Sequence, residues 1–267
     1  KNLKKLFYEN ITYTNLENIV LDYYNSIYKP HITLGISDTY HNINISNINI
    51  KINDIELFKI GNYGTAIPLY SPLFISHRIN TISELTKIPT NFGIETDLRD
   101  YNEDITIIHD PFLKGECIDS FLKNYNHSLI ILNVKSERIE FKIIDYINKY
   151  NIHNYFFLDC SFPMIYNLNK LGCNNIAIRY SEFESIESVL LVKHMIKWVW
   201  IDCFTKFPLT YEDYLKIKNA GLKICIVSPE LQSKSCNEIY KYKQFLLDNH
   251  FIIDAICTKI YNIDKWK

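Results

Sequence analysis

The sequence predicts an α/β chain, a parallel (β/α)8 barrel with a small N-terminal α+β appendage. Three observations carry this reading. From residue 73 onward, short β-branched apolar runs alternate with stretches of helical period. Eight such runs follow one another. No glycine-rich turn follows the first, so the alternative, an open doubly wound sheet, lacks the dinucleotide fingerprint.

The strand-like runs are residues 73–77, 93–98, 129–134, 155–159, 176–180, 198–203, 223–227 and 255–260. Helical segments fall between them at 81–88, 117–124, 137–150, 163–171, 184–195, 211–220 and 237–249. Thr210 ahead of Glu212 and Asp213 marks a helix start, and Gly172 and Gly221 stand where helices should stop. The barrel thus occupies residues 73–267, about 195 residues, compact beside the usual ~250. Residues 1–72 read as a separate appendage or the tail of a preceding domain. They offer a helix at 15–28 ended by Pro30, short strands at 31–36, 43–50 and 55–60, and a turn at 61–64. They hold no interpretable motif. The chain opens on Lys1 rather than Met, which reads as a fragment or processed chain and leaves an upstream domain open.

Composition narrows the function classes. Of 267 residues, 47% are hydrophobic and 22% charged, which excludes a disordered, collagen-like or coiled-coil chain. Lys plus Arg is 29 against 30 for Asp plus Glu, a net charge of -1. Without a strong positive field, no nucleic-acid partner is expected. No apolar run reaches the roughly 18 residues that span a bilayer, so no membrane insertion is expected. The seven cysteines include no CxxC pair, and Cys160, Cys203, Cys225 and Cys257 sit in or beside apolar runs. They read as reduced core thiols of a cytoplasmic protein, a nucleophilic cysteine being the alternative.

In a parallel barrel the active face is built from the C-terminal strand ends. Polar residues gather there: Ser76-His77-Arg78, Glu95-Thr96-Asp97, His109-Asp110, Asn133-Val134-Lys135, Asp159, Arg179, Asp202, Glu230 and Lys259. Glu95 and Asp97 are two apart on one strand and share a face. Paired carboxylates there are costly unless neutralised or paired, either by Arg78 or Arg99 as a structural network or by a cation. A hard divalent cation, Mg²⁺ or Ca²⁺, suits such oxygen ligands, and Asn133 adds a neutral carbonyl oxygen. Arg78 and Lys135 suit a phosphoryl group, and His77 and His109 are able to exchange protons near neutral pH.

The run His77-Arg78, then Glu95-x-Asp97, then His109-Asp110, resembles the glycerophosphodiester phosphodiesterase family within the phosphatidylinositol-phospholipase-C-like barrels. The likeness spans about residues 73–267 and is strongest over 75–112. It implies a small-molecule phosphodiester substrate, with His77 and His109 as acid and base. It implies a divalent metal on Glu95 and Asp97, phosphate contact by Arg78, and Lys135 as the strand-three lysine. The sequence departs from the family pattern at Ile79, where Gly is usual, at Asn133, where a third acid is usual, and in lacking the tryptophan near the last strand, for which Trp200 is the substitute. Arg179, Trp200 and Lys259 are expected as substrate contacts. Two alternatives stay open: a catalytically degenerate barrel binding a phosphorylated ligand or partner domain, and a phosphodiester transferase of surface-polysaccharide metabolism.

Overall fold

The computed structural model describes residues 58–60, 66–68 and 72–267. The helix expected at 15–28, the strands at 31–36 and 43–50, and the turn at 61–64 lie outside the described residues. Strand β1 (Phe58–Ile60), inside the run expected at 55–60, pairs antiparallel with β2 (Ala66–Pro68). The further strands are β3 (Leu73–Ser76), β4 (Gly93–Tyr101), β5 (Asp104–Ile107), β6 (Glu116–Cys117), β7 (Leu129–Val134) and β8 (Tyr155–Leu158). They continue with β9 (Ala177–Tyr180), β10 (Trp198–Ile201), β11 (Lys223–Val227) and β12 (Ala255–Thr258). Eight of these pair in parallel in the order β8-β7-β4-β3-β12-β11-β10-β9, forming one curled sheet. A parallel bridge between Phe157 and Ile176 links the two ends of that series, and the Phe157 N–H donates to the Asn175 carbonyl at 2.9 Å. These are the eight runs the sequence marks.

The helices are α1 (Ile82–Leu85), α2 (Ile118–Lys123), α3 (Glu140–Lys149), α4 (Phe162–Lys170), α5 (Ile186–Leu191), α6 (Tyr211–Asn219), α7 (Glu238–Asp248) and α8 (Ile263–Trp266). Thr210 caps α6 by accepting from the Asp213 N–H, and Gly172 and Gly221 hold the left-handed conformation that ends α4 and α6. Helix α5 is shorter than its pattern predicts, because the Val192 and Lys193 N–H groups donate three residues back, to Val189 and Leu190, where an α-helix would reach four. Among the described residues, no helix is long and apolar enough to cross a membrane.

A hairpin that the strand–helix rhythm does not predict follows β4. Strand β4 runs on to Tyr101 and turns back antiparallel into β5, Tyr101 facing Asp104 across a two-residue turn. Asn102 (φ 47) and Glu103 (φ 65) both sit in the left-handed region, as the favoured two-residue hairpin turn requires. The excursion buries Ile105 and Ile107 and returns the chain to β4, where the Ile108 N–H donates to the Asp97 carbonyl.

Side chains alternate strictly along the parallel strands. One face carries Ile94, Leu98, Ile130, Leu132 and Phe157 into the layer beneath the helices. The other carries Ile75, Leu129, Ile131, Phe156, Trp198, Trp200 and Cys257 into an inner core. Gly93 shares this inner parity, and a Cβ there would meet Ile75 at 3.0 Å and the Leu129 carbonyl at 3.1 Å. All seven cysteines are free. Burial pushes the Cys225 and Cys257 thiols well up and Cys203 to about 11, so these are neutral core groups.

Candidate active site

The inner parity continues past the apolar layer. Two residues beyond Ile75 is His77; beyond Gly93 come Glu95 and Asp97; beyond Ile131 come Asn133 and Lys135. Arg179 follows Ala177, Asp202 follows Trp200, and Lys259 follows Cys257. The polar residues expected at the strand ends are therefore the uppermost layer of the same stack.

His77 is fixed by its own N–H, which donates to the Thr258 carbonyl at 2.9 Å. Its Nε2 lies 3.8 Å from Glu95 Oε2. Burial, then the nearby Lys259 and Arg78 charges, push its pKa down to about 3, so the imidazole is neutral. Its Nδ1 is buried and has no partner among the described residues. Arg78 adopts a left-handed backbone (φ 58), which costs a non-glycine residue about 1–2 kcal/mol. That conformation lets the Arg78 N–H donate to Glu95 Oε2 at 2.6 Å, while its Nε stands 3.6 Å from Asp97 Oδ2.

Glu95 and Asp97 are each only 1% exposed. The Asn133 amide lies between them, donating to Glu95 Oε1 at 2.7 Å and to Asp97 Oδ1 at 3.3 Å. Asn80 holds Asp97 from the other side: its Nδ2 donates to Oδ2 at 2.8 Å, and its Oδ1 accepts from the Asp97 N–H at 2.9 Å. Burial and the Glu95 charge push the Asp97 carboxyl above its ordinary range, against the pull of Asn80, Lys135 and Arg78. Asn80 escaped the sequence reading as a site residue, although it lies two residues beyond Arg78.

Lys135 Nζ is 3.8 Å from Asp97 Oδ1 and donates to Asp159 Oδ2 at 3.0 Å. Asp159 also accepts both Arg179 Nε, at 2.7 Å, and Nη2, at 3.0 Å. It lies off the inner parity, and its left-handed backbone (φ 65) accompanies its aim toward the two cations. Arg179 in turn pairs with Asp202, which accepts from Gln232 at 2.7 Å and from the Trp200 indole at 3.1 Å. Trp200 is thus taken into the inner core at 4% exposure, with its N–H spent on Asp202; it presents no surface at the mouth. Lys259 Nζ donates to the His77 carbonyl at 3.3 Å. A tryptophan does follow the last strand: Trp266 on α8 is buried and donates to Ser228 Oγ at 2.9 Å.

His109 follows β5, its carbonyl anchored by Arg99 Nε at 2.8 Å. Its Nδ1 lies 2.8 Å from Asp110 Oδ1, which holds the Asp110 carboxyl below its usual range. Its bonds tie it to this loop, not to the carboxylate pair.

Among the described residues, no group of three or more His, Cys, Asp and Glu is arranged to hold a metal. The third oxygen of the expected set belongs instead to an amide. Asn133 Oδ1 is buried beside two buried carboxylates and has no donor among the described residues. Two carboxylates and an amide oxygen are hard donors, and they fit a hard divalent cation with one charge fewer than three acids would supply. The two ends of the amide are interchangeable by a half-turn.

No protein-family model and no curated protein sequence matches the chain. Solved structures do. The glycerophosphoryl diester phosphodiesterase of Agrobacterium tumefaciens superposes with a TM-score of 0.55 at 12% identity, over 73% of this chain and 97% of that one. That of Parabacteroides distasonis gives 0.51 at 12%, over 73% and 85%. That of Silicibacter pomeroyi gives 0.53 at 9%, over 73% and 92%. The chain shares their fold. The likeness lies in architecture, and it agrees with the resemblance carried by His77-Arg78 and Glu95-x-Asp97.

Proposed function

We propose that the chain is a metal-dependent phosphoric diester hydrolase on a closed (β/α)8 barrel, acting on a glycerophosphodiester or sugar-phosphate diester. The observation that carries this reading is His77 standing 3.8 Å from Glu95 of the buried Glu95–Asp97 pair, with Arg78 and Lys135 flanking Asp97. The fold shared with glycerophosphoryl diester phosphodiesterases supports it.

In this reading His77 is the base. Its imidazole takes the proton of the attacking water, or of a neighbouring substrate hydroxyl, as the new P–O bond forms. His109, paired with Asp110, is the acid: it gives its proton to the alcohol oxygen as the old P–O bond breaks. Arg78 and Lys135 face the phosphoryl oxygens and offset the charge that gathers there. Glu95, Asp97 and Asn133 would hold a divalent cation, which would supply Lewis-acid polarisation of the phosphoryl oxygens.

The test is release of nitrophenol from bis(p-nitrophenyl) phosphate with Mg²⁺, Ca²⁺, Mn²⁺ or EDTA, for the wild type and His77→Ala. Turnover should need a cation and fall by about 10²–10⁴-fold in the variant. Equal rates in EDTA would remove the metal from the reading, and an unimpaired variant would remove His77.

A further inference from the structure

A cavity of about 530 Å³ opens where β8 and β9 lead into α4 and α5. It adjoins the candidate site through one ionic chain, Asp97 to Lys135 to Asp159, and Asp159 is part of its wall. Its other walls include Phe162, Ile165, Ile178 and Phe183. Phe162 and Phe183 are 56% and 75% exposed, and the Phe183 ring packs on that of Phe204, centroids 6.1 Å apart. Large aromatic groups left in water around a cavity mark a place where a ligand covers them.

The charged wall groups are already engaged, and Ser185 and Ser188 complete the polar part of the wall. Asp159 serves Lys135 and Arg179, Arg179 also serves Asp202, and Glu184 accepts from Ser181 Oγ at 2.6 Å. Phe162, Ile165, Ile178 and Phe183 leave apolar surface beside Arg179, and that surface suits hydrocarbon better than a polyol. We propose that it receives the alkyl or acyl end of one alcohol of the diester. This inference rests on the hydrolase reading and names its substrate class: an amphiphilic phosphodiester, taken up as a single molecule.

The test uses methyl, butyl and octyl p-nitrophenyl phosphates on the wild type, Phe183→Ala and Phe183→Leu. The wild-type kcat/KM should rise up to about fourfold per added methylene until the cavity is filled. Phe183→Ala should cut the octyl-to-methyl ratio about tenfold or more, and Phe183→Leu should keep most of it. A second arm needs no turnover: calorimetry of octyl phosphate and methyl phosphate on His77→Ala, where octyl phosphate should bind at least tenfold more tightly. Turnover independent of chain length, with equal binding of the two phosphates, overturns the cavity proposal and leaves the hydrolase reading standing. Tighter octyl phosphate binding without turnover of any ester supports the cavity and overturns the hydrolase. Neither turnover nor binding overturns both.

Discussion

The Asn133 amide gives the sharpest test of how the carboxylate pair is held. Asn133→Leu keeps the side chain's size and removes its donors. Asn133, Glu95 and Asp97 are 6%, 1% and 1% exposed, so water is poorly placed to replace what is lost. Hydrogen bonds to charged groups contribute about 1.5–3 kcal/mol each. The 2.7 Å bond to Glu95 is well formed and the 3.3 Å bond to Asp97 is long, so about 3 kcal/mol is the expected loss. At about 2–4 °C per kcal/mol for a chain near this size, Tm should fall by about 6–12 °C. Urea unfolding of the full chain, followed by circular dichroism in EDTA, measures the loss directly. A divalent cation at 100 times its Kd should restore about 2.7 kcal/mol, because it compensates the same two carboxylates in the folded state only. A loss below about 0.5 kcal/mol would refute the argument. The pair would then be held by Arg78, Lys135 and Asn80 alone, or not be fully charged.

Asp159→Asn should weaken the bonds of both Lys135 and Arg179 and tighten inorganic phosphate binding severalfold by calorimetry, at about 1–2 kcal/mol of stability; unchanged affinity would show that neither cation is available to an anion. Gly93→Ala forces a Cβ to 3.0 Å from Ile75 and 3.1 Å from the Leu129 carbonyl and should cost about 1–3 kcal/mol in urea unfolding, a neutral result meaning that β4 shifts freely. Glu182 accepts the backbone N–H groups of Phe204, Thr205 and Lys206. Burial is the largest single influence and raises its pKa, but these bonds together outweigh it and bring the carboxyl to about 2, below its ordinary 4.5. Its contribution is therefore complete above pH 4.5 and fades as pH falls toward 2. Glu182→Gln should cost about 1 kcal/mol at neutral pH, discounted for solvent screening, and little at pH 2; an equal deficit at both would contradict the assignment.

How much of this was legible in the sequence depended on period. The run Leu129–Val134 declared its span, and the two-residue period of a strand gave the face on which Glu95, Asp97 and Asn133 lie, although β4 itself runs on to Tyr101. The same alternation, applied strictly, puts Trp200 inside with Trp198, since both share parity with Asp202; proximity to a polar strand end was the weaker guide. The β5 excursion was not legible because Asn102-Glu103 lacks the glycine that usually marks a two-residue hairpin. Asp159 was legible as a strand-end acid but not as the partner of Lys135 and Arg179. That pairing needs the stagger of three neighbouring strands and a left-handed backbone that no local pattern announces.

The ionic groups of the mouth form a series in which each cation is shared by two acids. Lys135 stands between Asp97 and Asp159, and Arg179 between Asp159 and Asp202. Such sharing keeps the layer compensated when nothing is bound, which a buried cluster requires. It also ties the availability of each cation to the state of its neighbours. Lys135 turns to an incoming anion more readily when Asp97 is compensated from elsewhere, and Asn133, Asn80 and Arg78 all converge on Asp97. The substitution of an amide for an acid at position 133 therefore acts on both sides of the site. It lowers the negative charge offered to a cation, and it lowers the hold of Asp97 on the lysine that an anion would need.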